Sequence, residues 1–348
     1  MKMLAAVKER PESGLHVTEV EVPKIGPNEV LVKIKAASIC GTDLHIYMWN
    51  NWAQGRVTNI PIIQGHEMCG EIADIGPGVT NVKVGDFVSA ESHIVCNQCD
   101  LCKSNKKHIC RNTKIIGVEV DGCFAEYIAL PAENARKNQE KMPVDTAVLM
   151  ENFGNAVHVA STPEVKDKTI MLSGCGPVGV MTIAVCKALG AKKVIAVNPS
   201  PYRLELAKKM GADETVSAKD ESFKEKILDL TDGKGVDIFM EMSGAPSSIQ
   251  SGYELLKYGG TAIAFGLPSD PISFDFSNLV VFKGITIYGI IGRKLWETWD
   301  LASELIYTKK VDLSPIITHR YNLKEISQGF QTMLSGKSGK VVLYPIDK

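Results

Sequence analysis

Hydrophobic and polar positions alternate in short runs through the first 150 residues, and Gly and Pro punctuate the runs. Glu29-Val-Leu-Val-Lys-Ile-Lys35 is one. Cys69 to Ile75, closed by Gly76-Pro77-Gly78, is a second, and Val82-Lys-Val-Gly-Asp-Phe-Val88 a third. Side chains on a strand point alternately to two faces, so this pattern predicts an antiparallel β domain with one face buried. From about residue 156 the pattern changes. Short apolar strands at Thr169–Ser173, Lys193–Val197, Thr215–Ser217, Val236–Met240, Thr261–Phe265 and Ile285–Tyr288 alternate with helical stretches. That order predicts an α/β domain, a doubly wound parallel sheet. The C-terminal stretch, with Trp296, Trp299 and Ser314-Pro315, is mixed in texture and is expected to return to the first domain. The boundaries read from these changes are 1–155 with 295–348 for one domain and 156–294 for the other. There is no internal repeat and no low-complexity segment.

Composition changes this picture little. The chain has 348 residues, 45% hydrophobic and 23% charged, enough for two ordinary globular domains. Its 39 basic residues nearly cancel 40 acidic ones, so neither nucleic acid nor an anionic membrane is expected as a partner. The apolar run in MKMLAAVKERPESG is too short for a secretory signal, and no segment approaches the length of a membrane span. A cytoplasmic placement is the simplest expectation.

Four of the nine cysteines are spaced C-x2-C-x2-C-x7-C: Cys96, Cys99, Cys102 and Cys110. Four thiolates can close a tetrahedral shell around one Zn²⁺ and leave no open position, which is a structural site. Disulfides would need an oxidising compartment that nothing else in the chain suggests, and an iron–sulfur cluster is a further use of four thiolates. The polar, basic residues between the cysteines predict an exposed lobe folded around metal. A closed site performs no chemistry, so the chemistry must be sought elsewhere.

The strand Thr169–Ser173 runs into Gly174-Cys-Gly-Pro-Val-Gly179, followed by the helical stretch Val180–Leu189 and the next strand. This is G-x-G-x-x-G in its required context. Gly174, Gly176, Pro177, Val178 and Gly179 would bring backbone N–H groups and a helix N-terminus to a pyrophosphate. At the end of the second strand, where an acid usually binds the ribose 2′-hydroxyl of NAD, stands Asn198. Asn198 also fits a turn before Pro199. It does not repel a 2′-phosphate, and Ser200 and Arg203 follow closely, so both NAD and NADP are open.

Three further groups carry chemistry. Cys40-Gly-Thr-Asp-Leu-His45 offers a thiol, a hydroxyl, a carboxylate and an imidazole. His66 and Glu67 lie in G-H-E-x2-G-x5-G-x2-V, and Glu151 opens Glu-Asn-Phe-Gly-Asn-Ala-Val-His158. A Cys, a His and a carboxylate make a zinc site with room for water or substrate. Singly, each has an ordinary role: a buried thiol, a core imidazole, a solvated charge.

Gly65-His-Glu67, the Cys96–Cys110 lobe and Gly174–Gly179 resemble the zinc-dependent medium-chain dehydrogenase/reductase family across almost the whole chain. The resemblance implies a GroES-like β-rich catalytic domain beside a Rossmann domain, one catalytic and one structural Zn²⁺, and a homotetramer partly formed near Ile285–Ile291. A narrower likeness rests on Cys40-Gly-Thr-Asp-Leu-His-Ile-Tyr47 with Trp49 and Trp52, Gly122-Cys-Phe-Ala-Glu-Tyr127, Phe153-Gly-Asn-Ala-Val-His158 and Leu313-Ser-Pro-Ile-Ile-Thr-His-Arg320. It implies oxidation of the 3-hydroxyl of L-threonine to 2-amino-3-oxobutanoate, with hydride transfer to NAD. By the same resemblance Cys40, His66 and Glu67 serve the catalytic zinc, with Glu67 a ligand or an exchangeable neighbour. Asp43 orients His66, Thr42 and His45 relay a proton, and Glu151 and His93 line the substrate pocket. Two departures stand out: Asn198 replaces the family's acid, and Asn152 its common proline. Arg293 is read either as a cofactor or carboxylate contact or as a surface charge. The rival functions are a polyol or secondary-alcohol dehydrogenase of butanediol or sorbitol type, and a non-catalytic dinucleotide-binding protein.

Overall fold

The alternating runs of the N-terminal region fold as strands, and the change of texture near residue 156 lies close to a structural boundary. The computed structural model describes residues 1–139 and 141–345. Contacts divide them into one unit of residues 1–152 with the C-terminal stretch from 317, and a second of residues 153–316. The first boundary falls inside the helix Met150–Ser161. Residues 295–316, placed with the first domain from sequence, cluster with the second unit. There the helix Glu297–Tyr307 buries Trp299, Ala302 and Leu305.

The first unit contains β1 (Lys2–Lys8), β2 (His16–Glu21), β3 (Glu29–Ile39), β4 (Ile62–Ile63), β5 (Glu67–Ile75), β6 (Phe87–Ala90), β7 (His93–Ile94), β8 (Lys114–Ile115), β9 (Tyr127–Pro131) and β10 (Ala135–Lys137). Its main sheet runs β10-β6-β5-β3 and continues into two C-terminal strands, Lys340–Tyr344 and Ile317–Asn322, with β9 also on β3. β3 shows how the pattern works. Val30, Val32 and Ile34 are buried in the core with Met68, Ile72 and Val341, while Lys33 and Lys35 point outward. The run Val82–Val88 is an exception, since only its last two residues are in a strand. Gly85 takes φ +88° and the Asp86 carboxylate accepts from the Lys83 N–H at 3.0 Å, so the segment turns before β6 begins.

The second unit contains β11 (Thr169–Ser173), β12 (Lys193–Asn198), β13 (Glu214–Ser217), β14 (Val236–Glu241), β15 (Leu256–Ala264) and β16 (Thr286–Gly289). They form one parallel sheet in the order β13-β12-β11-β14-β15-β16. All six strands expected from sequence are present. The order reverses between β11 and β14, and ligands of such sheets bind at the carboxyl ends of the strands where that happens. The two C-terminal strands are β17 (Ile317–Asn322) and β18 (Lys340–Tyr344), and β18 pairs with β3. Among the described residues, no helix is long and apolar enough to cross a membrane.

Candidate active site

In the first unit, Cys40 directly follows β3 and caps the helix Gly41–Met48. His66 immediately precedes β5 and Glu67 opens it, and β5 pairs antiparallel with β3 so that Ser38 faces Glu67. This register brings the Cys40 sulfur, a His66 ring nitrogen and a Glu67 oxygen within 4.8 Å of one another. Asp43, fully buried, fixes two of the three. Its Oδ2 accepts the Cys40 backbone N–H at 2.8 Å, and its Oδ1 lies 3.2 Å from His66 Nδ1. A carboxylate on one ring nitrogen leaves Nε2 as the donor for a metal, the usual way a ligating imidazole is oriented. Burial opposes a charged His66, but Asp43 and Cys40 outweigh it and hold its pKa well above the ordinary value. The pocket is therefore built to surround positive charge, and its thiol, imidazole and carboxylate suit zinc.

Gly65 makes the approach possible. It has φ +94°, and a Cβ there would strike the Phe124 ring.

Glu67 is held by groups that the sequence did not reveal. Its Oε2 accepts from Ser38 Oγ and from the ammonium of Lys340, while Oε1 has no hydrogen-bond partner among the described residues. Lys340, at the start of β18, is itself buried and donates to the Ile39 carbonyl at 3.1 Å. Burial lowers the Lys340 pKa, but Glu67 first and Cys40 next raise it above the lysine range. Nothing in the sequence around Lys340 shows this. Only the pairing of β18 with β3 places it beside Glu67.

The other candidates fall as follows. Glu151 is buried and accepts from Ser92 Oγ at 2.6 Å, and it is not in the three-donor group. Its neighbour Asn152 is buried too, with Nδ2 3.9 Å from the Cys40 sulfur. His93 is half-buried, with its backbone N–H donating to Glu91 Oε1 at 2.9 Å. Thr42 and His45 lie three apart on one helix, which puts them on one face. His45 Nδ1 is 2.7 Å from Asn50 Nδ2, and burial lowers its pKa.

The lobe cysteines converge as their spacing predicts. Their sulfurs lie within 4.8 Å of one another, with Cys96 3.5 Å from Cys110, Cys99 3.9 Å from Cys110 and Cys96 4.0 Å from Cys102. A tetrahedron of Zn–S bonds has edges of about 3.8 Å. Among the described residues all nine cysteines are outside any disulfide. The N–H groups of Gln98 and Cys99 pull the Cys96 thiol down to about 6, which favours the thiolate a metal needs. Burial pushes Cys102 up to about 12.

In the second unit, the glycine turn joins β11 to the helix Pro177–Ala188. Gly174 has φ +103°, and a Cβ there would lie 2.6 Å from the Met242 carbonyl carbon. A Cβ on Gly179 would collide with the Gly174 carbonyl, whereas one on Gly176 would meet nothing within 4 Å. The first and third glycines thus serve turn and helix packing. The second leaves open space where a pyrophosphate would approach backbone N–H groups of Pro177–Gly179 other than the proline's. Asn198 ends β12, and Arg203 lies in the helix Pro201–Lys209. Arg293 is buried and donates to Asn155 Oδ1 at 3.2 Å, with Gly154 packed against its side chain, so the surface-charge reading is corrected.

Two such units, a GroES-like β domain with cysteine, histidine and carboxylate donors and a Rossmann sheet with its glycine turn, define a zinc-binding alcohol dehydrogenase. Family models agree: residues 26–140 match the alcohol dehydrogenase GroES-like domain and residues 177–308 the zinc-binding dehydrogenase domain. The chain is 48% identical over 342 residues to the L-threonine 3-dehydrogenase of Pyrococcus furiosus, covering 98% of each chain. It superposes on a putative zinc-binding dehydrogenase from Sinorhizobium meliloti bound to NADP with a TM-score of 0.92 at 25% identity, covering 99% of this chain and 100% of that one. For the 2R,3R-butanediol dehydrogenase of Bacillus subtilis the TM-score is 0.90 at 26% identity, with the same coverage. The chain belongs to the zinc-dependent medium-chain dehydrogenase/reductase family.

Proposed function

We propose that this chain is an L-threonine 3-dehydrogenase: L-threonine and NAD⁺ give 2-amino-3-oxobutanoate, NADH and a proton. The observation that carries the chemistry is the convergence of Cys40, His66 and Glu67 within 4.8 Å around a buried aspartate. The choice of threonine is supported by 48% identity over nearly the full chain to a protein of that name.

Bound zinc supplies Lewis-acid activation of a hydroxyl, and bound nicotinamide supplies a hydride acceptor. Cys40 and His66 hold the metal, with Glu67 as third ligand or exchangeable neighbour, and Asp43 fixes the imidazole. Thr42 and His45 carry the hydroxyl proton outward. His93 and Glu151 position the amino-acid end of the substrate. Gly174, Gly176, Pro177, Val178 and Gly179 cradle the pyrophosphate, and Asn198 and Arg203 receive the adenosine ribose. Cys96, Cys99, Cys102 and Cys110 hold a second, structural zinc. In this reading the enzyme is a cytoplasmic homotetramer of threonine degradation, and the exposed edge strand β16 contributes to assembly.

Initial rates with L-threonine, 2,3-butanediol and sorbitol, measured side by side on zinc-loaded protein, test this. Threonine should be preferred by at least an order of magnitude in kcat/KM. Preference for a diol or polyol would move the substrate to the rival dehydrogenase reading. Cofactor binding with no turnover of any alcohol would favour a non-catalytic role.

A further inference from the structure

Asn198 closes β12 at the place where an acid would bind a 2′-hydroxyl and repel a 2′-phosphate. Its Oδ1 is already engaged, accepting the Ser200 backbone N–H at 3.0 Å. The group left to meet a ligand is the amide Nδ2, a donor. Ser200 caps the helix Pro201–Lys209 without its side chain bonding to the helix amides, which leaves the hydroxyl available. One turn on, the Arg203 guanidinium has a buried nitrogen, Nη1, with no hydrogen-bond partner among the described residues. Burial lowers the Arg203 pKa, and the groups that oppose this are Tyr202 and Cys175, with no carboxylate among them. Cys175 belongs to the glycine turn; burial pushes its thiol pKa up, and Arg203 opposes that shift, so the guanidinium lies close enough to the dinucleotide turn to act on it. The first acid after the strand, Glu205, is 2.8 Å from Lys209. Two neutral donors, a cation with no carboxylate among the described groups that act on it, and a helix N-terminus thus fall within the six residues from Asn198 to Arg203, a combination that favours negative charge.

We propose that Asn198, Ser200 and Arg203 form a 2′-phosphate subsite, so that this enzyme accepts NADP as well as NAD. The proposal rests on the dinucleotide reading of the glycine turn and is independent of the choice of threonine as substrate. NADP would be bound through its ribose phosphate by charge-assisted hydrogen bonds, and NAD through hydrogen bonds of the same Asn198 amide to its 2′-hydroxyl.

Calorimetric titration of the zinc-loaded protein with 5′-AMP and with 2′,5′-ADP tests this without substrate or turnover. The expected result is that 2′,5′-ADP binds at least as tightly as 5′-AMP. Asn198→Asp keeps the oxygen that Ser200 N–H donates to and replaces only the outward donor, so it does not disturb the local fold. It should shift the affinity ratio of the two probes toward 5′-AMP by on the order of 100-fold, as a like charge does. Arg203→Met should weaken 2′,5′-ADP more than 5′-AMP. Wild-type protein that binds 5′-AMP but takes 2′,5′-ADP 100-fold more weakly would overturn the proposal, as would an unchanged ratio in Asn198→Asp. Binding of neither probe would overturn it together with the dinucleotide reading. Binding of both probes with the expected ratio would uphold the proposal even if the separate initial-rate comparison showed no threonine turnover, which would overturn the substrate assignment alone.

Discussion

Cys96, Cys99, Cys102 and Cys110 lie within fifteen consecutive residues, whereas Glu67 is tethered by Lys340, 273 positions further along the chain. Both clusters present donors suited to zinc, and both lie in the first unit. The lobe can close on its own loop, and a bound metal would supply most of what holds it. The Cys40, His66 and Glu67 group needs three adjacent strands in register, with Glu67 on β5 held by Ser38 on β3 and Lys340 on β18. The comparison teaches that a structural site can be written locally, while a site with an open position relies on the fold to hold its donors apart from solvent and in place.

Four changes would break or sharpen this contrast. The largest effect is expected from Cys40→Ser, which removes a metal donor without touching the core. Turnover should fall by about 10⁴-fold, or about 5.5 kcal/mol in barrier. Metal analysis should show loss of one zinc per chain, with the melting temperature little changed. Near-normal turnover at that reduced metal content would end the catalytic assignment.

Lys340→Met should be next, and it is read through stability. It leaves the buried Glu67 carboxylate without its cation, which costs about 3–5 kcal/mol. Urea unfolding of the single variants and of Lys340→Met with Glu67→Gln would measure the coupling. A loss below about 1 kcal/mol would show that the pair contributes no more than a surface ion pair.

Cys99→Ser should be milder and local, about 2–3 kcal/mol, because the lobe can open without the sheet. Hydrogen exchange should show protection lost around residues 96–113, with turnover per folded molecule retained. If protection there persists after the metal is lost, the lobe is not built around zinc.

The smallest effect is expected from His45→Ala, about tenfold in kcat at neutral pH. A relay histidine accepts a proton only when neutral. Because burial lowers its pKa below 6.5, the wild-type enzyme should keep its rate down into mildly acidic solution and lose it as pH falls through that lowered pKa. The variant should recover part of its rate at high pH, where solvent base replaces the imidazole. Identical pH profiles for the two proteins would remove His45 from the relay.

Much of the molecule is legible in its sequence. The six parallel strands appear where apolar runs stand, and β11 matches its expected span, Thr169–Ser173, because a strand buried on both faces reads as a continuous run. The lobe and glycine turn are legible because their spacing is local. Lys340 is not, because strand pairing alone brings it to Glu67 and one lysine before an apolar run has no periodic signature. The fold also corrects the view of Arg293. A charged side chain reads as exposed unless a partner is known, and here Asn155 receives it. Val82–Val88 misleads for a related reason: its alternation is that of a strand, but Gly85 and Asp86 impose a turn.

Asp43 serves two masters, the start of a helix and the tilt of an imidazole. One carboxylate therefore couples the Cys40 backbone to the His66 ring, and neither donor can swing without disturbing the other. Such a pocket keeps its shape while its occupant changes, so a cobalt ion introduced as a coloured reporter would enter a ready-made cradle, and its visible spectrum would describe the enzyme rather than a geometry of the metal's own choosing.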